Sequence, residues 1–130
     1  MIPAIHVNAK EGDYAAMICN GWKCIETRNS RTLDRFIGHR VGIIRTGCGP
    51  AVLVGFVYVT GCIIYQTAEA FKADADRHVI PSGSVYDFRP GHVKYGYTLY
   101  SPVMLQRPII LGRTGYTGNR VFRLIDVKED

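Results

Sequence analysis

The chain has 130 residues, of which 47% are hydrophobic and 21% charged, so it can form one hydrophobic core and general disorder is excluded. No apolar run approaches the roughly eighteen residues of a membrane-spanning helix, and the first residues lack the basic and apolar regions of a signal peptide. We therefore expect a single domain over residues 1–130 in a cytoplasmic protein without a membrane partner.

The net charge of +5 is unevenly distributed, and its clustering is compatible with a phosphate-bearing partner. In the first basic group, which spans residues 28–45, Asp34 is the only acid. A second group lies near the end of the chain. The arginines concerned are Arg28, Arg31, Arg35, Arg40 and Arg45 in the first group, and Arg107, Arg113, Arg120 and Arg123 in the second. Solubility charge on exposed strands and loops would give the same pattern.

The four cysteines indicate buried free thiols rather than a metal site. They form no C-x-x-C pair, and no histidine lies at a short ligand spacing from another. We therefore predict no metal and no cofactor.

The first elements predicted along the chain are a strand and a helix. Residues 4–7 are typical of a short strand. Asn8 can cap a following helix, with Glu11 as its partner in a capping box. Asn20 and Gly21 can end that helix, because both tolerate the left-handed conformation of a C-cap.

A charged segment, residues 21–28 with the sequence GWKCIETR, then enters a strand. Because side chains alternate along a strand, Glu26 and Arg28 share one face. Lys23 falls on the other face unless a bulge or turn re-aims it. The three charges could hold a small polar ligand or a phosphate, or they could be an ordinary charged strand end.

The middle of the chain contains further strands and a second helix. Residues 28–39 predict a loop with one helical turn, and residues 40–46 predict a strand. Residues 51–65 predict one long bent strand or two strands, with bends at Gly55 and Gly61. Thr67 can cap a helix that ends around residue 76.

The last part of the chain predicts three more β-segments. Residues 92–100 form a strand that Ser101-Pro102 stops, and Pro108 limits a strand over residues 104–111 to an edge or a bulge. A glycine-spaced loop around Tyr116 precedes a final strand over residues 119–127. The whole indicates an α+β fold of five or six strands and two helices, consistent with a small closed or half-closed barrel.

The order of these elements and the charged segment resembles the ASCH domain of the PUA-like superfamily. The similarity covers roughly residues 5–127. Its motif is G-x-K-x-x-E-x-R, and the residues that carry the resemblance are Gly21, Lys23, Glu26 and Arg28, then GHRVGII at 38–44, KYGYTL at 94–99, Pro108, and a closing strand near Phe122. The resemblance implies a small PUA-like β-barrel with two flanking helices and a cleft lined by the motif.

The family resemblance also implies several activities. PUA-like relatives bind RNA or single modified bases, some ASCH-like proteins hydrolyse N4-acetylcytidine, and others are associated with metal-dependent ribonuclease activity. In the hydrolase branch a lysine acts with a hydroxyl residue and a carboxylate on a central strand. Lys23 matches the lysine, but Glu26 occupies the hydroxyl position and Tyr58 stands where the carboxylate is expected. Lys23 and Glu26, with Tyr58 as a further candidate, are the catalytic residues if the protein is an enzyme.

Recognition of RNA or a modified nucleoside needs only binding contacts from these residues, whereas hydrolysis also needs catalytic groups. Lys23, Arg28 and Arg31 can meet phosphate, and Glu26 can accept from the exocyclic amine of a base. The aromatic rings of Trp22 and Tyr116 can provide stacking surfaces. We therefore predict recognition as the function. An N4-acylcytidine amidohydrolase is the alternative, a metal-dependent ribonuclease is a weaker one, and a protein-interaction domain is the third possibility.

Overall fold

In the computed structural model, the described residues are 1–112 and 119–127, so Tyr116 lies outside them. These residues form six strands, three short α-helices and one 3-10 turn. The strands are β1 (Ile2–Asn8), β2 (Ile25–Arg28), β3 (His39–Thr46), β4 (Val52–Tyr65), β5 (Lys94–Ile110) and β6 (Phe122–Ile125). The helices are α1 (Tyr14–Cys19), α2 (Ala68–Ala73) and α3 (Ala75–His78), and the 3-10 turn is Asp34–Phe36.

The strands form one mixed sheet in the order β2-β5-β4-β3-β1-β6. Only β1 and β3 pair in parallel, and the other neighbours are antiparallel. Strands β2 and β6 are the two ends of this order, so the sheet is not closed into a barrel. The predicted barrel is therefore wrong, although the α+β class and the six strands are confirmed. A strand with one buried face has the same sequence pattern in an open sheet and in a barrel, so the pattern could not distinguish them.

The structure differs from the prediction at two helix boundaries. Strand β1 continues to Asn8, which pairs with Thr46, so the cap of α1 is Asp13, whose Oδ1 accepts from the amide of Ala16 at 3.2 Å. The second predicted helix begins after Thr67 as expected, because the Thr67 hydroxyl accepts from the amide of Ala70. It is divided at Asp74, whose backbone leaves the helical conformation, and this gives three helices instead of two.

Strands β4 and β5 form an irregular antiparallel pair along the middle of the sheet. The register shifts near Gly55 and Gly61, where the bends were predicted. Ser101, at φ +53°, does not stop β5, which runs as one strand where two were expected. The pairing passes from Gly55–Met104 to Leu53–Ile109, so Pro108 lies in a bulge, as predicted.

Buried apolar residues lie in two clusters. The larger cluster lies under α1 and includes Ile18 of that helix and Val57 of β4. The smaller cluster includes Phe56 and Leu105. Neighbouring residues of β4 therefore serve different clusters, as alternation along a strand requires. Among the described residues, the longest α-helices have six residues, and no helix could cross a membrane.

The four thiols differ in exposure, contrary to the expectation that all are buried. Cys19 is buried, Cys24 and Cys62 are half-buried, and Cys48 is exposed. Burial raises the pKa of the Cys19 thiol to about 12, so this thiol stays protonated at neutral pH.

Gly55 provides a test of the close contact between β4, β5 and α1. A Cβ atom there would lie 2.0 Å from the carbonyl oxygen of Val103 and 2.8 Å from Sγ of Cys19. We expect Gly55→Ala to lower the free energy of unfolding by about 2–4 kcal/mol, because strand backbone would have to shift. Urea unfolding measures this loss.

Gly61→Ala is the matched control, because Gly61 lies in β4 like Gly55 and is also beside a register shift. A Cβ atom at Gly61 would meet nothing closer than Oγ1 of Thr98, at 3.3 Å. Equal losses of stability in the two variants would contradict the close approach at Gly55.

Candidate functional site

Glu26 and Arg28 lie on the same face of β2 and form an ion pair. Their strand is held against β5, where Glu26 pairs with Tyr97 and Arg28 with Tyr95. Nη2 of Arg28 lies 2.9 Å from Oε2 of Glu26 and also donates to the carbonyl of His6 at 2.9 Å. The arginine therefore connects edge strand β2 to β1.

The turn between α1 and β2 directs Lys23 towards the same site. Gly21 adopts φ +87°, and the Lys23 amide donates to the carbonyl of Met17 at 2.9 Å. These contacts place the Lys23 side chain inside the protein, where 1% of it is exposed. Its Nζ lies 3.8 Å from Oε1 of Glu26. Lys23, Glu26 and Arg28 therefore form one charged cluster.

Burial shifts the protonation equilibrium of Lys23 towards the neutral amine. Its pKa is lowered mainly by desolvation, and the positive charge of Arg28 adds to this, whereas Glu26 acts in the opposite direction. Nζ donates to the carbonyl of His78 and lies 5.0 Å from the centroid of the Tyr14 ring. The amine therefore has fixed partners on two sides and a carboxylate nearby.

The His78 ring supports this arrangement as a neutral side chain. Its Nδ1 accepts from the amide of Ile80 at 2.9 Å, so Nε2 carries the proton and donates to the carbonyl of Phe71 at 2.7 Å. The ring stacks on Phe71 with centroids 4.0 Å apart, and burial lowers its pKa. These contacts fix the backbone carbonyl that Lys23 meets.

The charged cluster forms part of the wall of an open cleft of about 860 Å³. The cleft lies between the residues of β1 and those of β2, so it occupies the gap that backbone pairing does not close. Among the described lining residues, Glu26 is the single acid and five side chains are basic. These are Lys23, Arg28, Lys94, Arg120 and Arg123. Tyr14 and Tyr86 form an aromatic edge-to-face pair in the wall, with centroids 6.2 Å apart.

Several lining residues come from parts of the chain that the motif did not indicate. Lys94 is 5% exposed, and its Nζ donates to Oδ1 of Asn29 at 2.8 Å. His6 lies in the first predicted strand, and its Nδ1 donates to the carbonyl of Arg120 at 3.1 Å. No site prediction covered Tyr86, which lies between the second predicted helix and the strand predicted over residues 92–100.

Other predicted residues lie elsewhere. Trp22 is 71% exposed and does not line the cleft. Arg31 also lies outside the cleft lining, and its Nε is 2.6 Å from Oδ2 of Asp34. Tyr58, on β4, is 42% exposed and is likewise absent from the lining. The structure therefore brings together Lys23, Glu26 and Arg28 but not these three residues.

The donor set of the cleft does not suit a divalent metal ion. Within residues 1–112 and 119–127, no group of three or more His, Cys, Asp or Glu side chains is arranged to hold one. The cleft carboxylate is already paired with Arg28 and close to Lys23. A cation there would be repelled by the surrounding basic side chains.

Comparison with solved structures shows which fold this is. The ASCH protein of Zymomonas mobilis superposes with a TM-score of 0.71 and 18% sequence identity, over 95% of this chain and 87% of that one. Two single-residue variants of that protein give the same TM-score and identity, with 88% and 90% of their chains covered. No family model and no curated protein matches the sequence. The chain has the ASCH fold, as the motif and element order predicted.

The coupling between Lys23 and Glu26 can be measured by a double-mutant cycle. We expect Glu26→Gln to lower the free energy of unfolding by about 2–4 kcal/mol, because a buried ammonium loses its nearest anion. Lys23→Met in the same chain should restore part of this loss, since no uncompensated ammonium then remains.

Urea unfolding at pH 7 of the wild type, both single variants and the double variant gives the coupling energy. Arg31→Gln, which removes a charge from an exposed ion pair, should change stability little and serves as the control. Additive effects of Lys23→Met and Glu26→Gln would contradict the cluster.

Proposed function

We propose that the cleft recognises a nucleotide, either within RNA or as a free, modified nucleoside or nucleotide. The observation that supports this most directly is that, among the described residues, one carboxylate and five basic side chains line a cleft of about 860 Å³. Cavities of roughly 300–1,000 Å³ commonly hold small molecules. An excess of positive charge favours an anionic ligand, and the single carboxylate can accept hydrogen bonds from a base.

Glu26 is the residue that we assign to the base. A carboxylate has about four lone-pair sites, of which the contact with Arg28 uses one. The remaining sites can accept from an exocyclic amine or a ring N–H. Because Lys23 and Arg28 hold the carboxylate from two sides, its orientation is set before the ligand arrives. Tyr86, which is half-buried in the wall, offers a ring surface to the base.

Arg120 is the cation that we assign to the phosphate. Its side chain is exposed at the cleft, and its carbonyl accepts from the His6 ring. By contrast, the guanidinium of Arg28 bonds to Glu26 and to the His6 carbonyl, and Nη1 of Arg123 donates to the carbonyl of Gly112. These two arginines help to build the wall, whereas Arg120 is in a position to meet the ligand.

Binding of a single-stranded RNA of about eight nucleotides tests recognition. Affinity should fall steeply as salt rises, because phosphate contacts release counterions. Arg120→Gln should weaken binding about 3–30-fold and reduce the slope of log affinity against log salt by roughly one. Fluorescence anisotropy across a salt series measures both.

Arg107→Gln is the matched control, because Arg107 is an exposed arginine that lies outside the cleft lining. A salt-independent affinity, or an equal effect of the two substitutions, would contradict phosphate recognition at the cleft.

The second candidate function is hydrolysis of an N4-acylated cytidine, and the buried Lys23 beside Glu26 favours it. Burial lowers the pKa of Lys23, which increases the fraction of neutral amine that can act as a base. The amine would take a proton from water as the water attacks the acyl carbonyl. The resulting ammonium, stabilised by Glu26 at 3.8 Å, would return that proton to the departing exocyclic nitrogen as the C–N bond breaks. Carboxylic acid and free cytidine are the products.

Incubation with N4-acetylcytidine, with chromatography to follow cytidine, tests this reaction. We expect Lys23→Met to abolish turnover, and the wild-type rate to rise with pH as the Lys23 ammonium loses its proton, below the usual lysine range. Lys72→Met, which changes an exposed lysine outside the cleft, is the control. Turnover that survives in Lys23→Met would exclude lysine catalysis. No turnover by the wild type would exclude the hydrolase while leaving nucleotide recognition in place.

A further inference from the structure

A second, smaller cavity adjoins the cleft. Its volume is about 190 Å³, and it is lined mainly by residues of the loop before β5 and by the first residues of that strand. Asn29 and Lys94 line both spaces, so the two cavities are neighbours. The hydrogen bond from Lys94 to Asn29, 2.8 Å long, lies at their common boundary.

A tight turn supplies the basic rim of this second cavity. The amide of His92 donates to the carbonyl of Arg89 at 3.1 Å, and Gly91 within the turn adopts φ +81°. Arg89 and His92 both line the cavity and both are exposed. The turn therefore presents a guanidinium and an imidazole beside the buried ammonium of Lys94.

Asp87, the one acid among the described residues that line this cavity, is bound to the loop backbone. Its Oδ2 accepts from the amide of Gly83 and its Oδ1 from the amide of Phe88, each at 2.8 Å. Asp87 balances one positive charge, so Arg89 and Lys94 leave the cavity basic. Burial and the nearby charge of Arg89 both lower the pKa of Lys94, and an anion between the two cations would relieve their repulsion.

The size of the cavity indicates what fraction of a ligand it can hold. About 190 Å³ is below the roughly 300 Å³ at which separate small-molecule sites begin. A group attached to a ligand already seated in the neighbouring cleft therefore fits better than an independent molecule. A phosphate is such a group, since it is compact, anionic and joined to the next residue of a nucleic acid.

We propose that the second cavity binds the phosphate of the nucleotide next to the one in the cleft. This inference rests on the proposed nucleotide recognition and specifies its ligand: a segment of RNA chain that crosses the Asn29–Lys94 boundary, rather than a free nucleoside. Arg89 and Lys94 contact the adjoining phosphate, and the cleft retains the base.

The test compares ligands with and without the neighbouring phosphate. The probes are the 5′- and 3′-monophosphates of the four ribonucleosides, and the four trinucleotides that place each of these nucleosides between two uridines. Calorimetric titration at constant salt gives each dissociation constant. For the nucleoside that binds best, the trinucleotide should bind at least about tenfold more tightly than either monophosphate, because a charge-assisted contact is added.

The variants assign this gain to the cavity. Arg89→Gln should remove most of the trinucleotide advantage and leave unchanged the affinity of the monophosphate whose binding depends on Arg120, because Arg89 does not line the cleft. Arg107→Gln, which removes the same charge elsewhere, should preserve the advantage. An advantage undiminished in Arg89→Gln would overturn the inference.

The proposed function and this inference fail in different ways. If monophosphate binding depends on Arg120 but trinucleotides bind no better than monophosphates, only the assignment of a phosphate to the second cavity is overturned. If none of the ligands binds, nucleotide recognition is overturned, and the phosphate assignment is overturned with it.

Discussion

A carboxylate held between two cations connects the elements around the cleft. Glu26 pairs with Arg28 and lies near Lys23, and each cation in turn reaches a backbone carbonyl on another element. Those carbonyls belong to His78 of α3 and His6 of β1. Buried charges are costly unless they are paired and hydrogen-bonded, so this arrangement tolerates little displacement. The cluster has one more cation than anion, and an anionic ligand at its open side would balance that charge.

The cleft exists because the sheet curves without closing. Strand β2 stands at one end of the strand order, yet Arg28 reaches the carbonyl of His6 in β1, which is four strands away in that order. A side chain therefore spans the gap that a barrel would close with a row of backbone hydrogen bonds. Polar groups of both strands remain directed at the gap, and this distinguishes the cleft from a packed barrel interior.

The charge of Lys23 separates the two candidate functions. As an ammonium, Lys23 orients Glu26 and adds to the attraction for phosphate. As a neutral amine, it can accept a proton from water. Burial favours the neutral amine, and Glu26 favours the ammonium. The surroundings of Lys23 therefore contain one influence in favour of each role. The described cleft lining contains no second carboxylate.

Local sequence predicted most of the segments that form strands and helices, the bends of β4 at Gly55 and Gly61, and the shared face of Glu26 and Arg28. It did not predict the limits of the helices or the continuity of β5. It also supported the ASCH resemblance, because motif and element order are properties of the chain itself. Tertiary structure decided that Lys23 turns inward and that the sheet stays open. It alone brought Lys94 and Arg120 to a motif about 70 to 100 residues away. Contacts between residues so far apart in the sequence depend on how the strands pair and in which register, and a local sequence pattern does not contain this information.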